Sequence, residues 1–472
     1  MVIVLFVLLL YKELLAYFQT ALLAFKVKGP KPLPFVGNAL LINDSKKLEK
    51  IGSDCYEEYG PVFRAWISFI PTIFIYQPDH LQAVLGSSKQ TDKNFLYSYM
   101  HNFIGEGLIT NNGYKWLTHR KYIQSYFNIN YLDRCVKTFS KHSKMLIKKL
   151  DNSDGLIKIT NFVNDSVLNV LHEIVFGLQA EDEELKTKSP FRKGKLLVHE
   201  RLTKPWMLFE FLYRLTSYGD MEITQKSKLQ NFTKQVLENK KANRKVNREH
   251  SLLDIFIKIS ETHFDFTEED IINEACTFML AGQDSVSSAI SFTLYFLAKY
   301  TEYQDRAREE VDEILDSCEN NPKVSDLNDM KYLGCCIKEA LRLCPSVPII
   351  ARKLSEKLVL DDITLPSGCN VFIAPYITHR LKHLYPNPEE YNPERFFSEN
   401  GKSRHPYSFI PFSAGPRNCL GYKFAMLEMK TIISYLLRNY CIHLDQRSDK
   451  LNVLYRITLR AKGGIWIKLE KR

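Results

Sequence analysis

What this chain of 472 residues lacks narrows its reading first. Ten cysteines occur without a Cys-x-x-Cys pair, which argues against structural zinc and a disulfide framework and favours a reducing compartment. No Gly-x-Gly-x-x-Gly fingerprint is present, so the chain carries no dinucleotide- or flavin-binding unit of its own. Charge never gathers into blocks: 64 Lys and Arg face 54 Asp and Glu, and the net +10 is spread along the chain. That balance suits an anionic membrane surface or an acidic protein partner, and with no recognition module it speaks against nucleic acid. No linker divides the chain after residue 40, so one large body is expected despite the length. With 45% hydrophobic and 12% aromatic residues it has ample material for a core.

The N-terminus falls short of a clean membrane span. Residues 2–25 are mostly apolar, but Lys12 and Glu13 interrupt them. A single tilted or interfacial helix is expected, with an amphipathic surface helix as the alternative. Lys26, Lys28 and Lys31 follow, whereas no basic residue precedes Lys12, which puts the body on the cytosolic side. A small-residue cleavage site and an Arg-rich presequence are absent, so residues 1–25 read as an uncleaved endoplasmic-reticulum anchor. Pro30, Pro32 and Pro34 then make residues 26–40 a stiff hinge before the body at 41–472.

Against these absences stands Phe412-Ser-Ala-Gly-Pro-Arg-Asn-Cys419-Leu-Gly421, just before an apolar-patterned run from Phe424 to Leu437. A cysteine at a loop-to-helix junction meets free N–H groups and the positive end of a helix dipole, which favour a thiolate able to bind metal. Gly415 and Gly421 would let the backbone approach a flat ligand, Phe412 would shield the sulfur, and Arg417 would meet an anionic group. The bland alternative is a buried structural cysteine. With its context, the segment resembles the cytochrome P-450 family, the haem-thiolate monooxygenases, whose loop reads Phe-x-x-Gly-x-Arg-x-Cys-x-Gly; Phe412, Gly415, Arg417, Cys419 and Gly421 all match.

Elsewhere, Val62–Ile67 and Ile73–Tyr76, parted by a proline-containing turn, read as a hairpin followed by a helix from Asp79. Trp116 and Arg120 share a helix face. From Phe191 to Tyr218 basic residues mix with Trp206, Met207, Leu208, Phe209, Phe211 and Leu212, either a lid dipped into lipid or an ordinary amphipathic helix pair. Lys226 to Arg248 reads as a solvated helix face. Thr267 to Asp270 has capping-box spacing and opens a helix to about Tyr300, roughly 50 Å long. Ala281-Gly282-Gln283-Asp284-Ser285 in its middle is either a packing notch or a groove with an acid and an alcohol to relay protons. Glu339 and Arg342 lie three apart on another helix face, by themselves commonly a surface ion pair. Gly463-Gly464 between strand-like runs reads as a terminal hairpin.

The resemblance extends over nearly the whole chain and implies a mainly α fold with small β-sheets, a triangular prism enclosing haem b, with residues 41–472 as its single catalytic domain. It implies Cys419 as the iron ligand, with Trp116, Arg120, Arg352 and Arg417 on the haem propionates. Asp284 and Ser285 would serve oxygen activation, although the family usually carries threonine at Ser285. Glu339, Arg342 and Arg395 would form a buried network bracing the haem loop. It implies insertion of one oxygen atom into a C–H bond, with NADPH electrons delivered by a separate flavoprotein reductase and cytochrome b5 as an optional partner. The alternatives are a haem-thiolate isomerase or peroxygenase, a xenobiotic-oxidising enzyme, or a non-catalytic haem sensor. The run Glu274 to Ser285 with His119-Arg120-Lys121 is similar to family four, many of whose members hydroxylate fatty acids and related lipids. Many of them also carry a glutamate, esterified to a haem methyl, where this chain has Ala281. Non-covalent haem is therefore expected, and Ala281, Ile349 and Ile350 would wall the space for a small apolar substrate.

Overall fold

The computed structural model describes residues 2–38, 45–153, 155–179, 182–192, 201, 204–242, 251–318, 321–397 and 404–472. The architecture is mainly α with small sheets. Its principal helices are α1 (Val2–Lys26), α2 (Pro78–Leu85), α3 (Gly113–Gln124), α4 (Ile129–Asp151), α5 (Ile159–Leu171), α6 (Ser217–Ala242), α7 (Glu268–Lys299), α8 (Lys331–Leu343) and α9 (Tyr422–Asn439).

Helix α7 is the axis, and α5, α6, α8 and α9 pack around it. Its start is fixed as the spacing requires: Thr267 Oγ1 accepts the Asp270 N–H at 3.3 Å, and Asp270 Oδ2 accepts the Thr267 N–H at 2.9 Å. Such a box is worth about 1 kcal/mol and sets where the helix begins. From Val286 to Ala298 the helix is buried on every side, whereas Leu280 to Ser285 is more open. The helix stays unbroken through that stretch. Gly282 does serve as a packing notch, because a Cβ there would stand 2.7 Å from Leu171 Cδ2 of α5.

The largest sheet has four strands in the order β1 (Val62–Ile67), β2 (Ile70–Ile75), β7 (Asn370–Ile373) and β4 (Ile350–Lys353). The hairpin differs from its sequence reading. Ser68, at φ 56°, and Phe69 make the turn, while Pro71 lies inside β2 opposite Trp66. The strand tolerates it because pairing with β7 starts only at Thr72, one residue beyond the missing N–H. The remaining sheets are β5 (Leu358–Leu360) with β6 (Ile363–Leu365), β9 (Val453–Tyr455) with β10 (Leu459–Ala461), and β3 (Leu156–Lys158), β11 (Trp466–Lys471) and β8 (Tyr440–Leu444). Gly463-Gly464 does not close a terminal hairpin. Both glycines have positive φ, near 85° and 81°, and they swing the chain from β10 into a different sheet.

Among the described residues no helix is long and apolar enough to cross a membrane. Helix α1 buries Thr20 and Ala24 and packs against β2, while Leu14, Phe18, Leu22 and Phe25 stay exposed. Of the stretch from Phe191 to Tyr218, residues 193–200, 202 and 203 lie outside the described residues. A single turn at Pro205–Leu208 and a short helix at Glu210–Arg214 precede α6, burying Met207 and exposing Trp206, Phe209 and Phe211. Of the solvated face expected from Lys226 to Arg248, residues to 242 are helical and 243–250 lie outside the described residues.

Candidate active site

A cavity of about 530 Å³ lies where α7 passes the cysteine loop. Ala281, Gly282, Asp284 and Ser285 line it from α7, and Phe412, Cys419 and Gly421 from the loop. Trp116 and Arg120 of α3, Arg417 of the loop and Ile349 with Ile350 before and in β4 also face it. Ala281 is exposed although it sits mid-helix, because its methyl opens on this space. A smaller cavity of about 410 Å³ beside α1 meets the first at Lys93 and Tyr97 but holds no cysteine.

The Cys419 N–H donates to Phe412 O at 2.8 Å, which ties the loop back on itself just before α9. Burial pushes the Cys419 thiol up; the Gly421 N–H and Arg120 pull it down without prevailing. A bound metal cation would outweigh burial, since coordination deprotonates a thiol outright. Gly415 serves a different purpose from the one expected. At φ 67° it has its α-carbon against α2, where a Cβ would fall 1.8 Å from Leu85 O, so its role is loop packing rather than approach to a ligand. Gly421 does line the cavity, and a Cβ there would meet only Cys419 Sγ, at 4.0 Å.

The end of the cavity beside Trp116 is rich in positive charge. Arg417 donates to the carbonyls of Thr91 and Leu108 at 2.9 and 3.0 Å and also to Asn111 O, while its guanidinium lies 4.2 Å from the Trp116 ring. Arg120 grips Asn418 O and Oδ1 at 2.9 and 2.7 Å. Arg352, 1% exposed, stands behind the lining, reaching Ala351 O at 3.0 Å and Ser413 Oγ at 3.5 Å with its Nε unpartnered. Lys93 faces the same region, a cation that sequence reasoning missed. Burial and Arg352 push Arg417 down to about 9; burial with Arg352 and Arg417 holds Lys93 well below the lysine range. Asp284 is the sole carboxylate lining the cavity among the described residues, and Arg460 holds it. Crowded cations with no acid lining that end of the cavity, and an orphan guanidinium nitrogen, are what a dianionic group would satisfy. With the Cys419 sulfur on the cavity wall and apolar walls between, these residues fit a haem carrying two propionates. Among the described residues no cluster of three His, Cys, Asp or Glu could hold a bare metal ion.

Glu339, Arg342 and Arg395 meet behind the loop. Glu339 and Arg342 are fully buried and doubly bonded at 2.8 Å, and Arg395 Nε lies 3.5 Å from Glu339 Oε1. Arg342 also donates to the carbonyls of His379, Pro388 and Glu390. His379 escaped the sequence reading. Its Nε2 accepts the Ile410 N–H at 2.9 Å, just ahead of Phe412, and burial with Arg342 and Arg380 pushes its pKa down to about 3. Also unforeseen is the buried pair of His119 Nδ1 and Glu274 Oε1 at 2.7 Å, which pins α3 to α7. Both pairings join residues far apart in the chain, so no local pattern signals them.

Ser285 Oγ donates to Ala281 O at 2.5 Å, and its own carbonyl accepts Ser346 Oγ at 2.7 Å. The acid and alcohol thus sit on the cavity wall, the acid held by Arg460 from β10 and the alcohol by the carbonyl of Ala281 one turn back in its own helix.

The family described as Cytochrome P450 matches residues 27–467. The chain is 45% identical over 472 residues to the probable cytochrome P450 4aa1 of Drosophila melanogaster, covering 98% of this chain and 92% of the relative. It is 33% identical to cytochrome P450 4c3 of the same organism, over 95% and 89%, and 32% identical to cytochrome P450 4V2 of Mus musculus, over 93% and 88%. With the cysteine loop, the cation-rich pocket end and these likenesses together, the chain belongs to the cytochrome P450 family, on the side of its family four, and is a haem-thiolate monooxygenase that uses haem b.

Proposed function

We propose that this monooxygenase hydroxylates an apolar, chain-bearing lipid such as a fatty acid, with NADPH as electron source through a separate flavoprotein reductase. The observation that carries the substrate reading is the cavity wall: Leu171, Ile174, Val175, Phe278, Val347 and Ile349 line it, and its charged groups gather at few places. When bound, haem supplies oxygen activation at an iron held by a thiolate. Cys419 would provide that sulfur, and Trp116, Arg120, Arg352 and Arg417 would hold the propionates, joined by Lys93. Asp284 and Ser285 would pass protons inward through water, the apolar wall would exclude bulk solvent, and Ile349 and Ile350 would orient the chain.

Ala281 has no carboxylate to esterify haem, so the cofactor is expected to extract completely into acidic organic solvent. Incubation with fatty acids, fatty alcohols and terpenoids, with reductase and NADPH, tests the substrate class; turnover confined to polar aromatic xenobiotics would overturn it. We further place residues 1–25 and the exposed cluster of Phe35, Phe69, Trp206 and Phe209 at the cytosolic face of the endoplasmic-reticulum membrane. The aromatic continuity of Phe35, Phe69 and Phe209, whose centroids stand 6.2 and 6.4 Å apart, supports a single lipid-facing patch. Deleting residues 1–25 should weaken liposome flotation without abolishing it, and a fully soluble remainder would leave α1 as the sole anchor.

A further inference from the structure

The hairpin β9–β10 touches both the substrate space and the proton-relay stretch. Its turn, Arg456 to Thr458, lines the cavity. Its second strand is fastened to less than two turns of α7 by two direct polar contacts and by a bridge through Ser346. Arg460 pairs with Asp284, and Ser288 Oγ donates to Leu459 O. The Leu459 N–H donates to Ser346 O at 2.9 Å, and Ser346 Oγ donates to Ser285 O at 2.7 Å. Ser346 is followed directly by Val347, Pro348 and Ile349, which also line the cavity. The circuit therefore encloses Asp284 and Ser285 and has substrate-facing residues on two of its arms.

The Arg460–Asp284 pair is incompletely buried, with side chains 37% and 25% exposed. Exposed pairs add little stability, so folding energy is a poor explanation for its presence. Its geometric effect is larger: a carboxylate gripped from the hairpin keeps one position only while the hairpin keeps its own.

We infer that β9–β10 positions the acid in response to substrate: a chain pressing on Arg456–Thr458 and Ile349 seats the hairpin, and Arg460 then holds Asp284 where it serves Ser285. Arg460 is a positioning residue acting through Asp284. The inference rests on the monooxygenase reading above, and its test separates the two. Hydrogen–deuterium exchange of the holoprotein is followed at residues 284–288 and 453–461, with and without 1-dodecylimidazole. The probe should slow exchange in both segments of the wild type and of Arg460→Lys. In Arg460→Gln it should slow only the hairpin turn, and Asp284→Asn, which removes the charge from the other side, should behave alike. In turnover of dodecanoic acid, Arg460→Gln should yield roughly threefold less product per NADPH at little-changed KM, with recovery in Arg460→Lys. Joint slowing of both segments in Arg460→Gln and Asp284→Asn, or wild-type coupling in Arg460→Gln, would overturn the inference. Absence of dodecanoate turnover in the wild type would count against the lipid reading alone, because the exchange result decides the hairpin's role without it.

Discussion

The two ends of the cavity treat charge in opposite ways. Beside Trp116, Lys93, Arg352 and Arg417 crowd together with no acid among the lining residues there; burial disfavours the ordinary protonation of all three, and repulsion by neighbouring cations adds to it at Lys93 and Arg417. On α7 the charged group Asp284 has its counter-ion supplied by the chain itself. The difference teaches where a folded chain expects a ligand to complete it. A cluster of like charges that costs stability is retained when a bound anion neutralises it, whereas a self-contained pair is arranged for position.

The largest break of this contrast comes from the sulfur. Cys419→Ser should abolish the thiolate-type spectrum of the reduced carbonyl complex completely, and persistence of that spectrum would remove Cys419 from the site. Next, Arg352→Leu should act with opposite signs on the two forms. The apoprotein, relieved of a buried cation, should gain about 1–3 kcal/mol in denaturant unfolding, while haem transfer to a scavenger globin should quicken by about tenfold. Loss of stability in both forms would mean that Arg352 is structural rather than an anion partner.

A third effect sharpens the comparison through the brace behind the loop. His379 stays neutral in the fold down to about pH 3, against 6.5 as its ordinary value. Its folded pKa is depressed, so its contribution is fully present above pH 6.5 and is lost as pH falls from 6.5 toward 3, at about 1.4 kcal/mol per pH unit. His379→Gln keeps an acceptor for Ile410 and should flatten that part of the stability profile between pH 7 and pH 5. An unchanged slope would assign the acid sensitivity to other groups. The smallest effect belongs to the paired end: Asp284→Asn should alter thermal stability by less than about 1 kcal/mol. A much larger loss would make that pair a structural bridge after all.

Sequence alone exposed the parts of this molecule that are written locally. The capping box at Thr267 and Asp270 fixed the start of α7 to the residue, and the glycine-punctuated cysteine loop announced the family. Local reading faltered where a residue's meaning depends on a distant neighbour. Pro71 passes for a turn residue until the start of the β7 register is known, and Gly415 passes for a ligand-facing glycine until Leu85 is seen against it. Gly463-Gly464 suggests a hairpin, yet β11 finds its partners in β3 and β8. Lys93, His379 and Arg460 are unremarkable in sequence, because burial and pairing across tens to hundreds of residues give them their roles.

The notch at Gly282 has a consequence for how such a cavity can change over generations. Leu171, which fills the notch, also lines the cavity. Any heritable change at Leu171 therefore alters two things together, the volume offered to a ligand and the separation of α5 from α7. Ile349 lies on a loop and fills no glycine notch between helices, so a change there leaves the separation of α5 from α7 alone. Descendants that acquire new substrates should accordingly diverge at Ile349 and hold Leu171 and Gly282 as a co-inherited pair.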